Sequence, residues 1–158
     1  MHGAALLPVL AMVLIEEKIE IADLHYLDGL EKDTIVLGWE ERRKPRQRLI
    51  TKRGTEIALA LSTGTILMDG DVLYIDDHCY IAVEAAKEEV IVICPEDMGE
   101  GAAIAYEIGN RHLPVSIGKR NIVTPQNPQM EEFLKRTAIR YQLRKESFEP
   151  TGKGHSHA

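Results

Sequence analysis

The chain has 158 residues, 44% hydrophobic and 28% charged, which is typical of one folded domain or two small ones and excludes a disordered chain or a coiled coil. Aromatic residues make up only 5% of the sequence and the net charge is −6. Neither a base-stacking surface nor a basic phosphate-binding surface is therefore expected, which excludes nucleic acid as a partner.

Residues 1–11 are predicted to be an extension that precedes the folded part of the chain. The apolar stretch 6–15 has no basic segment before it and continues into Glu16 without a small-residue cleavage site, so it does not resemble a signal peptide. The stretch is also too short to cross a bilayer. We therefore expect a cytoplasmic protein that does not bind membranes.

Residues 12–84 are predicted to form a small all-β domain that binds partner proteins. Asp28-Gly29 and Asp69-Gly70 mark turns. Apolar residues recur at every second position in four runs, namely Ile19 and Ile21; Ile35, Leu37 and Trp39; Ile57, Leu59 and Leu61; and Val72 and Tyr74. Short strands with one polar face form an open sandwich or a barrel.

The basic residues within 42–48 have two interpretations. The first is a solvated strand edge whose charge protects it from aggregation. The second is a docking surface for an acidic partner. The sequence leaves both open.

Residues 85–149 are predicted to form a ferredoxin-like domain with the element order β-α-β-β-α-β. The continuous apolar run 90–93 suits a buried strand. The fold class is therefore α+β, with an all-β domain followed by a ferredoxin-like domain. Residues 150–158, which contain proline, glycine and histidine, are expected to form a flexible tail.

Two helices are expected in this second domain. Asp97, with Glu100 three residues later, predicts a helix that begins at Met98. Its apolar stripe is expected to consist of Ile104, Ala105, Ile108 and His112. Asn127-Pro128 predicts the start of the other helix. Its apolar face is expected to consist of Met130, Phe133, Leu134 and Ala138.

Cys79 and Cys94 form no Cys-x-x-Cys unit, so neither a zinc knuckle nor a redox pair is indicated. His78 and Cys79 follow Asp76 in a predicted turn, where their donors suit soft or borderline metal ions. A polar hairpin tip without metal is the competing interpretation.

Three other histidines are candidate metal ligands. His155 and His157 form a His-x-His unit in the tail, where two imidazoles can converge on one divalent ion, or where they are simply solvated. His112 is either a packed helix residue or, because Gly109 permits the close approach of a second helix, a residue that meets its own copy across a two-fold dimer axis.

No enzyme motif is found in the sequence. The segment Met98-Gly99-Glu100-Gly101 fails as a G-x-G-x-x-G phosphate cradle because the third glycine position is Ile104. No serine or cysteine nucleophile has an evident base, and no Gly-x-Ser-x-Gly occurs. The chain is not expected to be an enzyme.

The segment Gly109-Asn110-Arg111-His112, followed by an apolar residue, resembles the signature of the UreE-type urease accessory proteins, which are nickel metallochaperones. The segments 42–49, 54–61 and 70–73 are similar to the amino-terminal β domain of this family. The terminus 154–157 is similar to a short version of its histidine-bearing tail. The resemblance spans residues 12–157.

This resemblance implies a homodimer through the ferredoxin-like domains, with His112 of each copy at the interface and His155 and His157 adding ligands for Ni²⁺. It also implies delivery of nickel to the urease apoprotein complex together with an accessory GTPase. Zn²⁺ and Cu²⁺ also bind imidazole, so they are expected to compete in vitro. A protein-binding module without a metal role is the competing function.

Overall fold

The computed structural model describes residues 12–151. The chain divides into two compact units, one up to Ala85 and the other from Ala86. Each unit has its own cluster of buried apolar side chains. No helix within residues 12–151 is long and apolar enough to cross a membrane.

The first unit contains two three-stranded sheets. Its strands are Val13–Ile15 (β1), Glu31–Leu37 (β2), Arg46–Ile50 (β3), Glu56–Ala60 (β4), Val72–Ile75 (β5) and Cys79–Ala85 (β6). One sheet has the order β1-β4-β3 and the other β2-β6-β5. In each sheet one outer strand, β1 or β2, runs parallel to the central strand and the other runs antiparallel.

Three expectations for this unit are wrong. Ile19 forms only an isolated bridge with Val72, and no strand includes Ile21. Trp39 begins a one-turn helix, Trp39–Arg42 (α1), rather than continuing a strand. Arg42 is not solvated, because it is fully buried with its guanidinium 5.5 Å from the centre of the Trp39 ring.

The second unit has the β-α-β-β-α-β order that the sequence predicts. Its elements are Lys87–Ile93 (β7), Met98–Asn110 (α2), Ser116–Ile117 (β8), Ile122–Pro125 (β9), Pro128–Arg136 (α3) and Tyr141–Ser147 (β10). The sheet is antiparallel throughout with the order β10-β7-β9-β8. Buried residues of both helices join Ile91 and Ile93 in one core cluster. The predicted α+β class is confirmed.

Both helices begin where the sequence predicts but end earlier. The Asp97 carboxylate accepts a hydrogen bond from the Glu100 N–H, and the Asn127 side chain accepts one from the Met130 N–H. His112 lies beyond the end of α2 and Ala138 lies beyond the end of α3. Both residues are exposed, so placing them on apolar helix faces was wrong.

Candidate metal centre

His112 occupies the left-handed backbone position that terminates α2, with a φ of 59°. The His112 N–H donates to the Gly109 carbonyl at 2.9 Å, and the Leu113 N–H donates to the Ile108 carbonyl at 3.1 Å. These two bonds form a Schellman motif, in which glycine is the usual residue at the position of His112. A side chain there costs roughly 1–2 kcal/mol. Strain of this kind is characteristic of functional sites.

The residues on either side of His112 are fixed to the domain. The Arg111 guanidinium pairs with the Glu107 carboxylate at 2.9 Å and lies 5.8 Å from the centre of the Phe133 ring. Leu113 packs against the core cluster. Pro114 is held through its carbonyl, which accepts a 2.8 Å hydrogen bond from the buried Thr124 hydroxyl. The imidazole is therefore an exposed group on a rigid loop.

The end of the described chain lies against the strand that follows this loop. The Thr151 N–H donates to the Val115 carbonyl at 2.8 Å. The Thr151 hydroxyl accepts a hydrogen bond from the Ile117 N–H. The start of the predicted tail is thus attached only three residues along the chain from His112. His155 and His157, like residues 1–11, lie outside the described residues.

Helix α2 is apolar on its outward face as well as its inward face. Ile104 and Ile108 are buried in the core cluster, as a surface helix requires. On the other side, however, Met98 is 90% exposed and Tyr106 is 72% exposed. A Cβ on Gly109 would meet no atom within 4 Å, so packing within the chain does not explain this helical glycine. The outward side of α2 thus offers apolar side chains to a partner, while Glu100, Glu107 and Asn110 provide its polar positions.

Residues 12–151 contain no group of three or more His, Cys, Asp or Glu side chains that could hold a metal ion. A site that includes His112 and has three or more such donors must therefore take some of them from beyond this part of one chain. Two such sources exist in principle: a second copy of the chain, and the tail histidines.

The His78–Cys79 turn is held together by Asp76. The Asp76 carboxylate accepts hydrogen bonds from the N–H groups of His78 and Cys79 and from the Tyr74 hydroxyl, which lower the pKa of Asp76 to about 2. Burial and the nearby Asp76 charge raise the pKa of the Cys79 thiol. Because a metal binds the thiolate, these contacts favour the polar hairpin tip over a metal site.

Sequence reasoning missed the residues that support His112. The Glu107–Arg111 pair has i,i+4 spacing, which is a signal that the sequence offers. The roles of Thr124 and Thr151 depend on contacts between segments that are far apart in the chain, and no local pattern predicts them.

Each of the two units matches a model of a known protein family. A family model described as the UreE urease accessory protein N-terminal domain matches residues 15–86, and the C-terminal domain of the same family matches residues 88–158. The chain belongs to the UreE family. The second match includes His112 and the tail histidines.

Individual relatives support this assignment. A urease accessory protein UreE of Lysinibacillus sphaericus is 38% identical over 145 residues, which cover 89% of this chain and 98% of the relative. A UreE of Cupriavidus necator is 36% identical over 127 residues, 78% of this chain and 66% of the relative. A UreE of Paraburkholderia xenovorans is 36% identical over 128 residues, which cover 78% of this chain and 57% of the relative. The chain thus matches nearly the whole length of the Lysinibacillus sphaericus protein and under two thirds of the Cupriavidus necator and Paraburkholderia xenovorans proteins.

Proposed function

We propose that this chain is a non-catalytic metallochaperone that binds Ni²⁺ and delivers it to apo-urease in the cytoplasm. The observation that carries the proposal is the exposed imidazole of His112, held in a strained conformation on a rigid loop in a member of the UreE family. Imidazole is a common metal ligand, and an imidazole that is exposed on a fixed backbone is available to a metal ion.

The proposed site forms between two copies of the chain. The outward apolar face of α2 supplies a surface for a second helix, and Gly109 allows close approach near its end. In a two-fold dimer every contact is made twice, so one His112 placed near the axis brings the other next to it. Two imidazoles then face one metal ion, and further association into a dimer of dimers would bring four together.

The tail histidines have enough chain to join this site. An extended chain spans at most about 3.6 Å per residue, so His155 can lie about 14 Å from Thr151 and His157 about 21 Å from it. Thr151 is hydrogen-bonded to Val115, three residues from His112. The attachment of Thr151 supports a role for residues 150–158 as a ligand-bearing tail, because it leaves the chain long enough for both tail histidines to reach His112.

The chemistry of imidazole suits transfer rather than storage. Imidazole binds Ni²⁺, but Cu²⁺ binds the same donors more tightly and Zn²⁺ competes, so partner docking and metal supply determine which ion is carried. Ligands on a tail can be exchanged one at a time for donors of a recipient. The proposed recipients and partners are the urease apoprotein complex and its accessory GTPase, contacted through the β domain of residues 12–84.

The test is to replace His112 with glycine and measure Ni²⁺ binding by equilibrium dialysis. Glycine removes the imidazole and also relieves the left-handed strain, so His112→Gly should fold at least as well as the native chain. We expect the tightest Ni²⁺ site to be lost while the oligomeric state, measured by light scattering, is unchanged. Deleting residues 155–157 should lower the Ni²⁺ stoichiometry and leave the tightest site partly intact.

His25→Gly is a control, because His25 is exposed in the first unit and its imidazole pairs with the Asp28 carboxylate. This variant should bind Ni²⁺ as the native chain does. Unchanged tight binding by His112→Gly would exclude the proposed site. The absence of tight Ni²⁺ binding in the native chain would favour a protein-binding module without a metal role.

A further inference from the structure

The outer face of the sheet β1-β4-β3 is exposed and mixed in character: Leu14, Ile50, Ala58 and Ala60 are apolar, and Arg46, Arg48 and Glu56 are charged. Its register places Leu14 beside Ala58, and Ala58 beside Arg48. Leu14 is 60% exposed and Ile50 is 65% exposed, whereas the alternate residues Ile57 and Leu59 are buried in the core. A sheet face that meets only water is normally polar, so the exposed Leu14 and Ile50 side chains are available for contact with a partner.

Strand β3 is an edge of this sheet, with no strand of residues 12–151 paired on its outer side. The Leu61 N–H donates to the Pro45 carbonyl and the Thr51 N–H donates to the Thr55 carbonyl, both at 2.9 Å. In an antiparallel pair these hydrogen-bonded positions alternate along the strand. The backbone groups of residues 47 and 49 therefore point to β4, and those of residues 46, 48 and 50 point away from the sheet. Such an edge is a template for another strand.

The side chains of β3 determine which charge a strand that pairs with this edge should carry. Arg46 and Arg48 are exposed and lie on the same face as Ile50. Neither guanidinium forms a salt bridge within residues 12–151. A second β3 strand would place arginines next to arginines, which is destabilising. Residues 1–11 contain no acidic side chain to complement them.

We propose that the β3 edge binds an extended acidic segment of a partner protein by strand addition, with two carboxylates on Arg46 and Arg48 and an apolar side chain on Ile50. In antiparallel pairing, the partner sequence then reads apolar-x-acidic-x-acidic. Backbone hydrogen bonds provide affinity and the alternate side chains provide specificity. This inference rests on the proposed partner-binding role of the β domain and is independent of metal binding.

The probe is a fluorescent peptide, Thr-Val-Thr-Glu-Thr-Glu-Thr, titrated with the full chain in fluorescence anisotropy without added metal. Binding should weaken as NaCl is raised from 50 to 500 mM, because exposed charge pairs are screened. A peptide with lysine in place of both glutamates should not bind. A peptide with N-methylglutamate in place of the first glutamate should bind poorly, because the residue opposite Arg48 is one whose backbone N–H would donate to β3.

The protein variant that tests the arginines is Arg46→Glu/Arg48→Glu, with folding checked by circular dichroism. We expect about tenfold weaker binding of the acidic peptide, because two attractive charge pairs become repulsive. The matched control is Arg144→Glu/Lys145→Glu, which makes the same charge change on β10, an edge strand of the other unit. This control should bind the peptide as the native chain does.

Three results would overturn the inference. Equal binding by the β3 and β10 variants would mean that net charge, not this edge, attracts the peptide. The native chain could fail to bind the peptide while Arg46→Gln/Arg48→Gln aggregates. That result would mean that the arginines only protect the β3 edge from pairing with other strands. Binding that requires removal of residues 1–11 would mean that this segment occupies the edge. None of these results would change the outcome of the nickel experiment.

Discussion

Within residues 12–151, two residues hold a side chain in the left-handed conformation at a helix end. Ala138, with a φ of 57°, follows α3 as His112 follows α2. The Ala138 N–H donates to the Lys135 carbonyl and the Ile139 N–H donates to the Leu134 carbonyl, which is the same pair of bonds found at His112. The backbone strain is therefore similar at both positions, but only His112 has a side chain with metal-binding chemistry.

Ala138→Gly is expected to stabilise the protein by about 0.5–1 kcal/mol, because the relief of left-handed strain exceeds the added backbone entropy of glycine in the unfolded chain. The shift of the urea midpoint, followed by circular dichroism, measures the effect. Ala103→Gly is the opposite control, because Ala103 is exposed within α2, where glycine costs about 0.5–1 kcal/mol. A loss of stability in Ala138→Gly would contradict the strain assigned to both helix ends.

The helix ends at His112 and Ala138 show how much of a single residue's conformation the sequence predicts. The Gly-Asn-Arg-His segment identifies His112 as a candidate ligand, but it does not reveal the conformation of that residue. The usual sign of a helix end is glycine, and here histidine and alanine occupy those positions. The apolar spacing continues past both helix ends, so periodicity alone makes the helices too long.

At the scale of elements, the β5–β6 hairpin depends on one carboxylate. Hydrogen bonds from His78 and Cys79 lower the pKa of Asp76 to about 2 from its ordinary value of 3.8. A lowered pKa in the folded state contributes stability at pH values above the ordinary value, and this contribution is lost as the pH falls toward 2. The turn is thus expected to weaken in acid.

Asp76→Asn tests this dependence, because asparagine keeps an oxygen acceptor but has no charge. The variant should be less stable than the native chain at pH 7, and the difference should shrink as the pH is lowered from 4 toward 2. Urea unfolding across this pH range measures it. Asp77→Asn is the neighbouring control, since Asp77 makes none of the hydrogen bonds that hold the turn. A difference that does not change with pH would show that the charge of Asp76 is unimportant.

Local sequence determines where the helices start, but it does not determine which strands pair. The caps at Asp97 and Asn127 act within three residues, so the sequence predicts both helix starts. The parallel pairing of β1 with β4 joins segments about forty residues apart in the chain, and no local pattern encodes it. Trp39 fits a strand by spacing, but it begins a one-turn helix that places Arg42 in the interior.

At the scale of the whole molecule, the nickel proposal depends on a second copy meeting the outward face of α2. The sequence predicts a pairing of His112 residues through Gly109, but not the apolar surface around them, because the exposed side of a helix is evident only once its buried side is known. Met98 and Tyr106 are both exposed on α2, so their burial in a dimer would remove apolar area from water.

Tyr106→Glu is expected to convert the proposed dimer to a monomer, because it places a charge in the proposed apolar interface without disturbing a core residue of the single chain. Size-exclusion chromatography with light scattering measures the mass. Ni²⁺ affinity should fall in parallel, since the two His112 imidazoles separate. Tyr26→Glu is the matched control, because Tyr26 is 71% exposed, close to the 72% of Tyr106, and lies in the other unit. If Tyr106→Glu remains dimeric, this face of α2 is not the interface and the metal site must be assembled another way.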